Sequence, residues 1–408
     1  MRIGVFTDSY LPYTSGVVRS IQTFNEELTR LGHEVYIFAP SYKNCSSESR
    51  VFRFASIPSP TNPDFTLALP FSLKLRPTIK QLNLDLIHVH SPFLLGRLGA
   101  RYARKIDVPL VFTYHTLYEQ YVHYVPFAQS GSKDIAQIAQ SVSKDLAQKV
   151  SRDFCNLCDL VIAPTGIVAN YLLEIGVKTD LKVVPTGIKT AEYKKGEREW
   201  LQKHYSVSAG DKVLLFVGRL GQEKNIPFLL ESFKIIKNNV KNSVLVIVGG
   251  GPEEEELKNM AVDLDLGDSV IFTGTLTPQD VINCYAGSSL FVFSSVTETQ
   301  GIVIAEAKAA GLPVVAVRAY GVSEMVEDGV DGYLTDLAAE QFADKIITLL
   351  NNEQLRLEMG KKAEKNAERL DSANCTSMLL KCYRSLKDDC EAGHVKIDES
   401  KRSSQGPK

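Results

Sequence analysis

TETQGIVIAEAKAAGLPVVAV, at residues 297–317, is the stretch that decides the fold of this chain. It follows the apolar run LFVFSS at 290–295 and predicts a loop, a helix that opens at Gly301, and a second apolar strand at 313–317. A strand, a helix and another strand in this order make up the repeating unit of a parallel α/β sheet. Ligands of such sheets bind at the carboxyl ends of the strands, where loops meet helix N-termini. We therefore expect a ligand site at this loop.

Two carboxylates flank the start of the predicted helix. Glu298 falls in the loop and Glu306 falls inside the helix. A helix N-terminus stabilises an anionic ligand through its free N–H groups and its dipole. Carboxylates accept hydrogen bonds from hydroxyls, so the pair would suit a sugar and a ribose on either side of a phosphate. On spacing alone, an ordinary helix glutamate and a solvated loop glutamate remain the alternative.

This pattern resembles the Glu-x7-Glu element of the retaining GT-B glycosyltransferases. The segment Ala309–Pro313 and the later DGVDGYL at 328–334 follow in the order expected for that family. The resemblance implies an α/β protein of GT-B fold, with two doubly wound, Rossmann-like parallel-sheet domains that face each other across a cleft. It also implies transfer of a hexose from a nucleotide sugar.

Length and composition agree with such an architecture. A chain of 408 residues is long enough for two domains, and its 44% hydrophobic and 23% charged residues are typical of a globular protein. No apolar run approaches the length of a membrane-spanning helix, and the run at the N-terminus is too short for a signal peptide. We expect a cytoplasmic protein that does not bind nucleic acid.

The first half of the chain contains a series of short apolar runs separated by helical patterns. Such runs are typical of parallel strands buried on both faces; they lie at 2–6, 35–39, 51–54, 84–89, 110–113 and 160–163. We predict an N-terminal acceptor-side domain at 1–188 and a nucleotide-sugar domain at 189–372. By resemblance, a terminal helix at 373–390 crosses back to the first domain, and a disordered tail follows at 391–408.

Two residues of the first domain are candidates for the site. Gly16 lies where a polar loop becomes a helix, and a glycine there allows a ligand to approach the backbone. His115 follows a predicted strand, and the segment Thr113–Thr116 resembles the family segment whose histidine contacts the transferred sugar. We interpret His88 and His90 as scaffold.

Two cations of the second domain follow the strand 213–217. Arg219 and Lys224 would lie at the same sheet edge as Glu298. An arginine can grip a diphosphate through its planar fork, and a lysine acts as a point charge. By resemblance, the matching Gly-Arg-Leu-x-x-x-Lys-Asn element binds the nucleotide diphosphate.

The predicted site therefore combines residues from both halves of the chain. The candidate catalytic residues are His115, Arg219, Lys224 and Glu298. The candidate donor-binding residues are Gly16, Arg219, Lys224, Glu298, Thr299, Gln300, Gly301, Ile302, Val303 and Glu306. Because the diphosphate has its own cations, we expect no metal ligands and no tightly bound cofactor beyond the UDP-sugar substrate, with Mg²⁺ at most stimulatory.

The acceptor is predicted from two further features. TETQG at 297–301 and TLYEQYVHY at 116–124 resemble bacterial 1,2-diacylglycerol glucosyltransferases, which implies UDP-glucose, a lipid acceptor and glycolipid biosynthesis. Residues 65–105 mix apolar and basic side chains, as in proteins that bind an anionic membrane surface at the inner face of the cell membrane. A solvated helix face is the alternative. A soluble sugar or sugar-phosphate acceptor is the second hypothesis and an inositol-lipid acceptor the third. Two functions other than glycosyl transfer are also alternatives: a nucleotide-sugar epimerase and a catalytically inactive binding protein.

Overall fold

The computed structural model describes residues 1–43, 45, 48–59, 65–118 and 133–391, with the backbone alone at 133–143 and 389–391. The chain forms two compact units. The first comprises Met1–Ala163, Ala169–Val184 and the chain from Thr376 onward; the second comprises Pro164–Val168 and Pro185–Cys375. The predicted tail beyond residue 391 lies outside the described residues.

Strands and helices alternate through the first part of the chain. In order they are β1 (Arg2–Phe6), α1 (Gly16–Arg30), β2 (Glu34–Pro40), β3 (Val51–Phe54), β4 (Ser56–Pro58), β5 (Thr66–Ala68), α2 (Leu75–Leu82), β6 (Leu86–Val89), α3 (Leu94–Ile106), β7 (Leu110–Thr113), α4 (Lys133–Cys155), β8 (Leu160–Ala163), α5 (Gly166–Glu174) and β9 (Leu181–Val183). One parallel sheet has the order β3-β2-β1-β6-β7-β8-β9, and β4 and β5 form a small antiparallel pair.

The second unit repeats this architecture. Its strands and helices are α6 (Trp200–His204), β10 (Lys212–Val217), α7 (Ile226–Asn239), β11 (Ser243–Val248), α8 (Glu254–Asp263), β12 (Val270–Gly274), α9 (Pro278–Ala286), β13 (Leu290–Phe293), α10 (Ile302–Ala309), β14 (Val314–Val317), α11 (Val322–Met325), β15 (Gly332–Thr335), α12 (Ala339–Asn351) and α13 (Glu353–Ala367), before α14 (Ser372–Glu391). The parallel sheet has the order β12-β11-β10-β13-β14-β15.

Both sheets have the doubly wound order in which the first strand lies in the middle. Their central strands are apolar because helices cover both faces; β7, β8, β13 and β14 are buried at every position. The prediction of two Rossmann-like parallel-sheet domains is confirmed. The apolar run predicted at 84–89 is a strand only from Leu86 to Val89.

The division into units differs from the predicted boundary after residue 188. The backbone of Ile188 pairs with the second unit, because its N–H donates to Leu370 O at 2.9 Å and its carbonyl accepts from Ser372 N at 2.8 Å. The end of the chain, in turn, belongs to the first unit. There α14 places the Tyr383 hydroxyl 2.6 Å from His88 Nδ1.

Candidate functional site

The central feature of the site in the second unit is an ion pair between two predicted site residues. The loop after β10 brings Lys224 to the loop after β13, and its ammonium contacts the Glu298 carboxylate. The Ser295 hydroxyl donates to the carbonyl of Glu223 at 2.9 Å and lies 3.2 Å from the same Glu298 carboxylate oxygen, and Ser294 donates to the carbonyl of Lys224 at 2.7 Å. The side chains of Lys224 and Glu298 are 16% and 19% exposed. The fold therefore holds a cation and a carboxylate together at the carboxyl edge of the sheet.

Arg219 lies on the same loop as Lys224 but is exposed. The backbone of this loop is bonded to the end of β11 and to the turn that follows it, since Gly218 N donates to Val248 O at 2.9 Å and Leu220 N donates to Gly250 O at 3.0 Å. Within the described residues, the Arg219 guanidinium has no hydrogen-bond or ion-pair partner. Its five donors are thus available to an anion from solvent.

The helix α10 begins as predicted, directly after Gly301. Gly301 has φ of 84°, a left-handed conformation that favours glycine, and its hypothetical Cβ would lie 3.2 Å from Ile304 Cδ1. The next two residues, Ile302 and Val303, are partly exposed in the first helical turn. N–H groups in a first turn have no partner within the helix, which gives an anion a binding position there.

Glu306 lies deeper than its predicted role suggests. Its side chain is fully buried, and Oε2 accepts a hydrogen bond from the Tyr285 hydroxyl at 2.9 Å. Tyr285 lies on α9, and its hydroxyl is also 3.3 Å from the carbonyl of Val303. The carboxylate is therefore held rigidly under the first turn of α10. Its contact with a ribose stays a prediction.

The neighbouring loop residues are fixed by backbone contacts. The Gln300 side chain is buried and pairs with both backbone groups of Thr186, accepting from N and donating to O at 2.9 Å each. The carbonyl of Thr299 accepts from the Thr165 hydroxyl at 2.9 Å. The amide side chain of Gln300 thus holds the loop in place, a role that its sequence position did not indicate.

Gly321 was not singled out by the sequence, yet it supports the same loop. Its N–H donates to the carbonyl of Glu298 at 3.0 Å. A Cβ at this position would lie 2.0 Å from the carbonyl oxygen of Thr299, so a larger residue would push the loop away. The chain separation between the two segments explains why local patterns gave no signal.

A second ion pair in this unit was also missed. Lys308 and Asp331 are both fully buried, with Nζ and Oδ2 2.5 Å apart. Nζ also donates to the carbonyl of Met325 at 2.8 Å, while Asp331 accepts from Glu327 N and from Asn366 Nδ2, each at 2.8 Å. Burial lowers the pKa of Lys308, and the Asp331 charge opposes that shift. The pair ties α10 to the DGVDGYL turn.

The other two predicted site residues belong to the first unit. Gly16 is the first residue of α1, and Ser15 caps that helix by accepting from Val18 N at 3.3 Å. His115 follows β7 and lies 2.8 Å, Nε2 to Nδ1, from His90, which follows β6. Burial lowers the pKa of His115 to about 3. Residues 119–124 of the segment that suggested a lipid acceptor lie outside the described residues.

Comparison with known proteins identifies the family. The model of glycosyl transferases group 1 matches residues 197–366, and the model of Glycosyltransferase Family 4 matches residues 14–192. The alpha-monoglucosyldiacylglycerol synthase of Streptococcus pneumoniae (strain ATCC BAA-255 / R6) is 34% identical over 82% of this chain and 75% of that protein. The chain belongs to the GT-B glycosyltransferases of group 1. The protein of the same name from Acholeplasma laidlawii is 30% identical to this glycosyltransferase, and the alignment covers 89% of the present chain and 92% of the Acholeplasma protein.

A solved structure supports the fold of the glycosyltransferase independently. Sucrose-phosphate synthase from Thermosynechococcus elongatus aligns with a TM-score of 0.75 at 18% identity, covering 94% of this chain and 98% of the other. The predicted resemblance to the GT-B glycosyltransferases and to diacylglycerol glucosyltransferases is confirmed at the level of the family by the family models and the two relatives. In the part of the chain that the structure describes, no helix is both long and apolar enough to cross a membrane.

Proposed function

We propose that this glycosyltransferase transfers glucose from UDP-glucose to diacylglycerol with retention of the α configuration. The observation that carries the proposal is the 34% identity, over 82% of the chain, to a protein named for an α-linked glucose on diacylglycerol. The predicted site residues support the same reaction class, because the cation of Lys224 and the carboxylate of Glu298 lie together at one sheet edge, where a sugar diphosphate would meet both.

In this proposal, Arg219 and Lys224 neutralise the charge that develops on the leaving diphosphate. The exposed guanidinium of Arg219 binds two phosphate oxygens, and Lys224 supplies a fixed charge beside it. The first N–H groups of α10, at Ile302 and Val303, bind the same anion. Electrostatic stabilisation that is organised before the reaction is usually the largest contribution to catalysis. A metal ion is not needed to hold the diphosphate, and Mg²⁺ would at most stimulate.

The hydroxyl groups of the donor are assigned to the acidic residues and the histidine. Glu298 binds hydroxyls of the transferred sugar, and Glu306 binds the ribose. Gly16 allows the phosphates to approach the backbone, and His115 contacts the sugar. We assign no side chain as general base: the leaving phosphate oxygen accepts the proton of the acceptor hydroxyl, on the face from which it departs. Thr299, Gln300 and Gly301 hold the loop that carries Glu298.

The surface of residues 65–105 supports a lipid acceptor. Phe71 and Leu73 are 74% and 83% exposed in the segment that leads into α2. The cations of this region are exposed as well: Lys74, Arg76, Lys80, Arg97, Arg101, Arg104 and Lys105. Apolar side chains among cations are suited to the boundary of an anionic bilayer, where each cation contributes about 1 kcal/mol. We propose peripheral binding of the cytoplasmic membrane surface through this region.

The function is tested by transfer from radiolabelled UDP-glucose into vesicles that contain diacylglycerol. Label in the chloroform phase supports both the donor and the acceptor. Release of UDP with label that stays in water would favour a soluble sugar or sugar-phosphate acceptor instead. Turnover of the UDP-sugar without any acceptor would favour an epimerase. Retention is tested separately, since it requires an α-anomeric product in the nuclear magnetic resonance (NMR) spectrum.

The membrane surface is tested by sedimentation with anionic and neutral vesicles. We expect the variant Phe71→Ser/Leu73→Ser to lose binding to both, and Lys74→Glu/Arg76→Glu to lose binding to anionic vesicles only. Val262→Ser removes a side chain of similar exposure, 68%, from α8 and is the matched control. Equal binding by all four proteins would contradict the proposed surface.

A further inference from the structure

Two histidines of the first unit meet because their strands are neighbours. β6 and β7 pair in parallel, with Val89 opposite Phe112, so the residues that follow them lie at the same sheet edge. The backbone of His90 is fixed there, since its N–H donates to Phe6 O at 3.0 Å. His115 leaves β7 in the same direction. The meeting of the two side chains is therefore set by the sheet rather than by local sequence.

The two rings form a direct contact. His90 Nδ1 lies 2.8 Å from His115 Nε2, and the rings are stacked with centroids 5.1 Å apart and planes inclined by 19°. His90 is buried and His115 is partly exposed. Burial lowers the pKa of both imidazoles, that of His115 to about 3, so both are neutral near pH 7. A neutral imidazole has one N–H donor and one acceptor nitrogen.

This hydrogen bond links the tautomers of the two rings. If His90 Nδ1 donates to His115 Nε2, the ring proton of His115 is on its own Nδ1. If His115 Nε2 donates to His90 Nδ1, the Nδ1 of His115 carries no proton. In both cases, the tautomer of His115 is coupled to that of His90. A ring nitrogen can either donate to a sugar hydroxyl or accept from one, so this tautomer decides which contact His115 can make.

His88 supports His90 from the other side without taking part in this link. The centroid of its ring lies 4.2 Å from the centroid of the His90 ring. Both of its nitrogens are engaged by hydroxyls, Nδ1 by Tyr383 at 2.6 Å and Nε2 by Thr113 at 2.7 Å. His88 therefore anchors the packing, whereas the contact of His90 is with the predicted site residue itself.

We propose that His90 is a positioning residue that fixes the ring orientation of His115 and couples the tautomer of His115 to its own. This inference rests on the proposed role of His115 at the transferred sugar. It assigns a function to a histidine that the sequence indicated only as scaffold. His90 acts through His115 and touches no substrate in this proposal.

The test compares three variants of the full-length protein. His90→Leu removes the hydrogen bond, and His90→Asn keeps a polar group near the position of Nδ1. Tyr383→Phe removes a hydrogen bond from the same buried cluster while leaving the contact between His90 and His115 in place. We expect His90→Leu to lower kcat for glucose transfer at least tenfold with little change in donor KM, His90→Asn to recover part of kcat, and Tyr383→Phe to retain it.

A second measurement does not depend on activity. In protein labelled with ¹⁵N at histidine, we expect the ring-nitrogen shifts of His115, assigned with His115→Gln, to change in His90→Leu and to stay in Tyr383→Phe. Unchanged His115 shifts in His90→Leu would overturn the positioning role. A loss of kcat that follows the loss of thermal stability equally in all three variants would also overturn it. Normal transfer by His115→Gln would instead overturn the proposed role of His115.

Discussion

The ammonium of Lys224 contacts the carboxylate of Glu298, although the two residues were predicted to bind different parts of the donor. Lys224 was assigned to the diphosphate and Glu298 to the sugar. Their contact means that each neutralises the other before a donor binds. The Ser295 hydroxyl, which donates to the carbonyl of Glu223 at 2.9 Å, lies 3.2 Å from the same carboxylate oxygen. A bound diphosphate would share the Lys224 charge with this carboxylate.

Substitutions in the pair of Lys224 and Glu298 should separate its effect on stability from its effect on activity. Lys224→Met leaves a largely buried carboxylate unpaired, and we expect it to lower the free energy of unfolding of the second unit by about 2 kcal/mol. Transfer should fall by two orders of magnitude or more. The double variant Lys224→Met/Glu298→Gln should recover the stability but not the activity. Unfolding can be followed by the fluorescence of Trp200, the sole tryptophan, which is buried in this unit. A double variant as unstable as the single one would contradict the interpretation.

Substitution of Arg219 is expected to lower activity without affecting stability. Because its side chain is exposed and has no partner among the described residues, Arg219→Ala should leave the melting temperature unchanged. We expect it to depress kcat/KM strongly, since a charge on the leaving diphosphate would lose its counter-ion. Arg198, also exposed in the second unit, is the matched control. Steady-state kinetics with both alanine variants measure the difference, and normal turnover by Arg219→Ala would remove the diphosphate assignment.

Glu306 tests the predicted ribose contact. Truncation to alanine would create a cavity as well as remove the carboxylate, so Glu306→Gln, which keeps the volume, is the sharper variant. We expect Glu306→Gln to raise donor KM with a smaller effect on kcat. Tyr285→Phe removes only the hydroxyl that lies 2.9 Å from the carboxylate and should raise KM less. If Tyr285→Phe raised KM as much as Glu306→Gln, the glutamate would be a structural partner of Tyr285 rather than a ribose ligand.

The buried pair of Lys308 and Asp331 predicts a large effect on stability. Removing one partner of a fully buried ion pair leaves an uncompensated charge, which typically costs about 3–5 kcal/mol. We expect Asp331→Asn to lower the stability of the second unit by this amount, as measured by urea unfolding with Trp200 fluorescence. Lys203→Met, which removes an exposed pair with Glu197, should change it little. The double variant Lys308→Met/Asp331→Asn should recover most of the loss; failure to recover would mean that the hydrogen bonds of Asp331, not the charge, stabilise the turn.

The sequence predicted the parts of this protein that local patterns control. Apolar runs located six strands of the first sheet and the strands β10, β13 and β14 of the second, and the glycine before α10 located the start of that helix. What it could not predict are side-chain contacts between distant segments. The pairing of Gln300 with Thr186 and the link from His90 to His115 arise only when neighbouring strands and loops come together. Glu306 is an intermediate case: the spacing identified the residue but not its burial against Tyr285.

The neighbouring histidines His88, His90 and His115 of the first unit should make its folded state less stable in acid. Burial lowers the pKa of His88 to about 3, whereas an unfolded histidine titrates near 6.5. Between these values the unfolded state binds more protons than the folded state, so stability falls as the pH falls, by up to about 1.4 kcal/mol per pH unit for each such histidine. His90 and His115 act with the same sign. The pKa of Asp8, raised by burial, acts with the opposite sign at the acidic end of this range.

Hydrogen exchange of the β6 and β7 amides between pH 7 and pH 4.5, corrected for intrinsic rates, measures this dependence in the first unit. His88→Gln should be less stable at pH 7, because it loses contacts with Tyr383 and Thr113. Its stability should nevertheless fall less steeply with pH than that of the wild type, because one proton fewer is taken up on unfolding. The slope of stability against pH therefore decides whether His88 is neutral in the folded state. An equal slope in both proteins would mean that His88 does not stay neutral in the folded state.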